Sequence, residues 1–155
     1  MTGEEDGGTR PPSRMGRWMA IDLGARRIGL AIADPLGIIA SPAGFVLRRA
    51  GHRVPLTTLV EKATELEAKG FVVGLPLDER GEDGPRAMEA RRLATELTRR
   101  TGLEARLLDE RFTTTAALRA VKALKGSTRG RKGDVDAIAA TVLLQFALQS
   151  EERRE

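Results

Sequence analysis

Residues 18–47 read WMAIDLGARRIGLAIADPLGIIASPAGFVL, and their punctuation decides the fold. Trp18 to Leu23 is a short apolar run with Asp22 near its end. Gly24-Ala25-Arg26-Arg27 has hairpin-turn chemistry, and Ile28 to Ala33 reads as the returning strand. Asp34-Pro35-Leu36-Gly37 forms a second turn, with Asp opening, Pro in second place and Gly closing. Ile38 to Leu47 then gives a third strand, irregular near Ser41-Pro42 because proline cannot donate to a ladder. The chain opens as a three-stranded antiparallel meander.

Beyond the meander the apolar period changes. Val54 to Lys69 carries Leu56, Leu59, Val60, Ala63 and Leu66 at helical spacing and is expected to end at Gly70. Phe71 to Leu75 is continuously apolar, as a strand buried on both faces should be. After a polar loop from Asp78 to Gly84, Pro85 begins a helix to about Arg100, with Leu93, Ala94 and Leu97 inward and Gly102 past its end. Leu103 to Leu108 is the fifth strand, leading into Asp109-Glu110-Arg111. Thr113 or Thr114 can cap a helix bearing Ala117, Ala120, Val121 and Leu124. The last helix, from about Asp134 to Gln149, is expected to bury Val135, Ile138, Ala139, Val142 and Phe146. Three strands followed by alternating helices and strands predict an α/β fold with a mixed five-stranded sheet flanked by helices.

Composition bounds the function. A chain of 155 residues with 41% hydrophobic residues can bury a real core. Without cysteine there is no disulfide, thiolate nucleophile or Cys-based zinc site, which fits a cytoplasmic location. Residues 1–15 are read as a disordered extension, with Met15 or Met19 able to serve as the start, 16–150 as one domain and 151–155 as an exposed tail. The extension lacks a signal peptide's apolar centre, and Ala137 to Leu148 is too short to span a bilayer. A net charge of +4 favours an anionic partner such as nucleic acid. Aromatics at 3% exclude a binder built on stacking platforms.

Three carboxylates stand out by position. Asp22 ends the first strand, Glu110 follows the last, and Asp136 lies in the first turn of the final helix. If the two strands lie close, the three converge at one end of the sheet. Such a cluster repels itself unless a divalent cation occupies it; Mg²⁺ or Mn²⁺, as a pair of ions, would polarise a phosphodiester for attack by water. Each also has a structural reading: a turn opener, a surface or capping residue, and a negative charge on a helix dipole. Asp134, after Gly133, is expected to cap the last helix, with an outer ligand role as its alternative. Asp34 is expected to serve its turn, Asp109 to point away from Glu110, and His52 to be solvated without a catalytic role. Arg26 and Arg27, and Lys125, Arg129, Arg131 and Lys132 in a Gly-rich loop, suit contacts to backbone phosphates.

Four blocks in this order, AIDLGARRIGLAIAD, GLPLDERGEDGPRA, LLDERFTTTAA and RKGDVDAIAATVLLQ, closely resemble the YqgF/RuvX family of pre-16S rRNA nucleases, from about Met19 to Leu148. The resemblance implies an RNase H-like fold related to the Holliday-junction resolvase RuvC. It also implies a carboxylate site whose members fall on Asp22, Glu110 and Asp136. The expected function is a hydrolase of nucleic-acid phosphodiesters, trimming the 5′ end of pre-16S rRNA in ribosome biogenesis. A resolvase acting on four-way DNA is the alternative, and symmetric cuts would ask for a homodimer rather than a monomer. The opening D-x-G hairpin also suits an ATP-binding domain, although such sites need two domains. A non-catalytic nucleic-acid-binding module would have no reason to keep three clustered like charges.

Overall fold

The computed structural model describes residues 16–112 and 132–153. Its sheet consists of β1 (Trp18–Leu23), β2 (Arg27–Ala33), β3 (Ala40–Leu47), β4 (Gly70–Leu75) and β5 (Ala105–Asp109), in the order β3-β2-β1-β4-β5. β1, β2 and β3 pair antiparallel, while β4 and β5 run parallel to β1. The helices are α1 (Leu56–Glu65), α2 (Pro85–Thr101) and α3 (Lys132–Arg153). The expected mixed five-stranded sheet is present. The expected helix after Thr113 lies outside the described residues. Among the described residues, no helix is long and apolar enough to cross a membrane.

Strand alternation sorts the side chains into two cores. Met19, Ile21, Ile28, Leu30, Phe71 and Val73 face α1 and α2, meeting Leu59, Ala63, Leu93 and Leu97. Trp18, Ala20, Ala31, Ala33 and Val72 face α3, meeting Ala140, Leu143, Leu144 and Leu148. The second set is mostly small, so α3 can approach the sheet closely. This corrects the expected stripe on the last helix: Ile138 is 46% exposed, and Val135, Val142 and Phe146 are only half-buried. Two apolar stripes overlap on this helix, and the small residues of the sheet select the one that carries leucines beside alanines.

The edge strand β3 tolerates Pro42 because its register shifts there. Gly29 lies opposite Phe45, but Ala31 lies opposite Pro42, so β3 has an extra residue between them. Gly44, at φ +86°, takes up the bend. On the Asp34 turn, Oδ1 accepts hydrogen bonds from the amides of Ile38 (2.6 Å) and Ile39 (2.8 Å). These bonds hold its carboxyl below the usual range, as a turn residue should be held.

Gly102 closes α2 in the left-handed conformation, as expected. α1 ends differently from its expected stop at Gly70. The helix finishes at Glu65, and the Ala68 amide donates to the Ala63 carbonyl (2.8 Å) while Glu67 donates to Thr64 (3.1 Å). This is a Schellman closure with Glu67 in the left-handed position at φ 57°. Gly70 serves instead as the seat for Trp18: a Cβ there would stand 2.3 Å from its ring. Because Glu67 is exposed and its conformation suits glycine, Glu67→Gly should raise unfolding stability by about 0.5–1 kcal/mol. Chemical denaturation of the two proteins measures this directly; a loss of stability would contradict the cap.

Candidate active site

Side-chain parity puts the acidic residues on one face at one end of the sheet. Asp22 shares the α3-facing side of β1 with Trp18 and Ala20. Glu110 opens a 3-10 turn at the end of β5 and keeps the parity of Arg106 and Leu108. Asp136 lies on the buried face of α3, one turn before Ala140 and two before Leu143. The carboxyl ends of β1, β4 and β5 lie at one end of the sheet, and the start of α3 crosses it. Among the described residues the buried acidic residues are Asp22, Glu110 and Asp136, at 1%, 3% and 4% exposure.

Glycines make room for these groups. Gly29 pairs with Asp22 across the β1–β2 ladder, and a Cβ on it would lie 2.1 Å from the Asp136 carbonyl oxygen. Gly24 packs toward the Asp136 carboxylate, 3.7 Å from a would-be Cβ. Gly74 lies under Glu110, whose Oε2 would be 2.3 Å from a Cβ there. An isolated glycine inside a strand signals such a close approach. Sequence reasoning passed over Gly29 and Gly74, although that signal was available.

Burial pushes the Glu110 carboxyl up to about 7; nearby Arg86 opposes the shift and Asp109 adds to it. Asp109 turns away, as expected, and pairs with Arg111 at 2.7 Å, which lowers its own pKa. Hard carboxylate oxygens suit a magnesium-like cation, which keeps much of its water and needs few protein ligands. Among the described residues no group of three acidic, cysteine or histidine side chains is arranged so that it could hold a metal ion by itself. The fit therefore rests on a wall of buried oxygens, shaped by glycines, on which water and substrate oxygens would complete the shell.

Arg48 is the positioning residue that sequence reasoning missed. Its side chain is 7% exposed and makes a bidentate pair with Glu89 on α2, at 2.7 and 2.9 Å. Its Nε donates to the Gly24 carbonyl (2.8 Å), bracing the turn beside Asp136. Nothing local distinguishes it in sequence from Arg49. Arg26 is exposed in that turn and Arg27 starts β2 half-buried. Lys125, Arg129 and Arg131 lie outside the described residues, as do the side chains of Lys132 and Asp134. The backbone corrects the expected cap, since α3 begins at Lys132 and Asp134 is its third residue, with Gly133 helical rather than breaking.

Two measurements test the electrostatics and packing. Glu110 has a folded pKa raised above its unfolded value, so its contribution is full below about pH 4.5 and lost as pH rises towards 7. Metal-free protein should therefore lose stability across that interval relative to Glu110→Gln, by up to a few kcal/mol; parallel pH profiles would contradict the shift. Gly74→Ala should cost about 1–3 kcal/mol through overpacking against Glu110. In a Glu110→Ala background that cost should largely vanish, which a double-mutant cycle of melts can read.

Comparison with known proteins agrees with this layout. A family model described as RuvX, Holliday junction resolvase, matches residues 16–150. A Clavibacter sepedonicus protein named as a pre-16S rRNA nuclease is 38% identical over 138 residues, 89% of this chain and 86% of its own. A Streptomyces coelicolor protein of the same name is 38% identical over 154 residues, 97% of this chain and 90% of its own. Among solved structures, Thermus thermophilus RuvC in complex with a Holliday junction substrate superposes with a TM-score of 0.53 at 15% identity, covering 87% of this chain and 94% of that one. That likeness places the sheet and its helices in the RNase H-like fold.

Proposed function

The chain belongs to the RuvX (Holliday junction resolvase) family, and from that premise we propose that it is a metal-dependent endonuclease that hydrolyses nucleic-acid phosphodiesters. The observation that carries this reading is the burial of Asp22, Glu110 and Asp136 on one face at one end of the sheet. The preferred substrate is the precursor of 16S rRNA at its 5′ end, after the name shared by the 38%-identical relatives. Four-way DNA is the second reading, favoured by the description of the family model. Two symmetric cuts on a junction need two symmetry-related sites, so a homodimer would go with that substrate and a monomer with the first. A cytoplasmic location fits either reading.

Asp22, Glu110 and Asp136 would hold Mg²⁺ or Mn²⁺, with Asp134 as a further oxygen donor. A pair of bound ions would supply charge neutralisation at the scissile phosphate and a lowered pKa for the attacking water. The chain's own residues set the stage for that chemistry. Glu110, protonated in part near neutral pH, would have to give up its proton to serve as a ligand, so metal binding would tighten as pH rises. Arg48 holds the Gly24 turn against Glu89 and so keeps the first strand's end in place. Arg26, Arg27, Lys125, Arg129, Arg131 and Lys132 position the backbone through phosphate contacts that carry no sequence information.

The test is cleavage of precursor rRNA, single-stranded DNA and a four-way junction side by side, with Mg²⁺ or Mn²⁺. Asp22→Asn keeps the side-chain volume but removes a bridging charge, so turnover should fall by orders of magnitude while the protein stays folded. Excess chelator should stop the wild type equally. Undiminished cleavage in either case would remove the metal mechanism.

A further inference from the structure

Away from the carboxylates, a cavity of about 460 Å³ opens between residues 52–56 and α2. Its floor is apolar, built from Val54, Leu56 and Leu93, and its rim carries His52, Arg53, Arg92, Glu89 and Glu96. The two carboxylates are already engaged. Arg48 grips Glu89 at 2.7 and 2.9 Å, and Arg99 hydrogen-bonds to Glu96 from outside the cavity. Both acids are held below their usual pKa by these partners. Arg53, Arg92 and His52, by contrast, are exposed and make no side-chain hydrogen bond or ion pair among the described residues. With both rim glutamates paired by arginines from outside, the rim offers two arginines over an apolar floor, which suits a nucleotide: a phosphate for the cations and a base face for the floor.

The cavity lies on the α1 and α2 side of the sheet, and the segment that lines it leaves β3 at the end where the carboxylates lie. β3 ends at Leu47, and the chain passes through Arg48 into the segment that lines the cavity. One arginine serves both places: the Arg48 guanidinium donates to the Gly24 carbonyl beside the acidic wall and to the His52 carbonyl at the cavity rim (2.9 Å). His52 is held there at φ 61°, a conformation a histidine seldom adopts. Along α2, Arg92 lies about 9 Å beyond Arg86, whose charge reaches Glu110. We propose that this cavity binds one nucleotide of the substrate strand outside the scissile linkage, with Arg53 and Arg92 on its phosphate. The proposal rests on the nuclease reading and adds a subsite to it.

The test measures binding of the full chain, carrying Asp22→Asn to prevent turnover, to labelled single-stranded RNA and DNA of one sequence. Arg53→Gln with Arg92→Gln should weaken binding about tenfold and flatten the slope of log affinity against log salt by about 0.7, the value for one phosphate contact on a single strand. Arg53→Lys with Arg92→Lys should recover part of the affinity. Arg100→Gln, a charge loss on the same helix outside the cavity, should leave it within about twofold, as expected for a change in general charge only. Adenosine monophosphate, tested by thermal shift, separates a free nucleotide from a strand. If the glutamine pair removes a shift caused by this nucleotide but leaves strand affinity unchanged, the cavity is an effector site and the strand subsite is overturned. If the wild type binds and cleaves while the glutamine pair binds normally and no nucleotide shift is seen, the subsite alone fails. A wild type that neither binds nor cleaves any of the nucleic acids overturns the nuclease reading itself.

Discussion

The close approach of α3 to the sheet is the constraint on which the rest of the structure depends. Three acidic side chains are buried where the helix start crosses the ends of β1, β4 and β5. That burial requires the α3 backbone almost in contact with β2, and Gly29 permits it because no Cβ stands between them. Alanines at 20, 31 and 33 continue the same low surface. Leu143, Leu144 and Leu148 then bury against it, each contributing roughly 1.5–3 kcal/mol, and this apolar contact offsets the cost of burying the carboxylates. A fold that wanted only stability would fill this face with larger side chains, as the opposite face does with Met19, Ile21, Leu30 and Phe71.

The cost of burial is also reduced by chemistry. Glu110, raised to about 7 by its burial, can stay protonated until a cation arrives. The same residue is then a stability element when neutral and, on the proposed reading, a ligand when charged. The two states differ by one proton. Gly74 beneath it gives the carboxyl the room to serve in both.

Much of this was legible in the chain. The meander followed from turn chemistry at Gly24–Arg27 and Asp34–Gly37, and α2 from Pro85 and Gly102, because those features are set by local backbone preference. Asp22, Glu110 and Asp136 were legible by their places at element ends. The buried stripe of α3 was not, because two apolar stripes overlap on it and only the sheet decides between them. Consistency would have helped here, since a ligand at Asp136 requires the face of Ala140 and Leu143 to point inward. The end of α1 was hidden because Glu67 takes a conformation that its side chain does not advertise. Arg48 was hidden because its role depends on Gly24 and Glu89, which are distant in sequence.

The placement of α3 has a consequence for synthesis. The helix comes last in the chain, yet it packs across β1, β2 and β3, which come first. A nascent polypeptide emerging in order can form its meander early, but those strands keep an uncovered face until the final segment arrives. Closure of α3 onto the meander is slow to nucleate because it joins residues distant in sequence. Asp136 travels with that last segment. The acidic wall is therefore assembled only after residues 132–153 have been made, and a molecule still short of α3 has it incomplete.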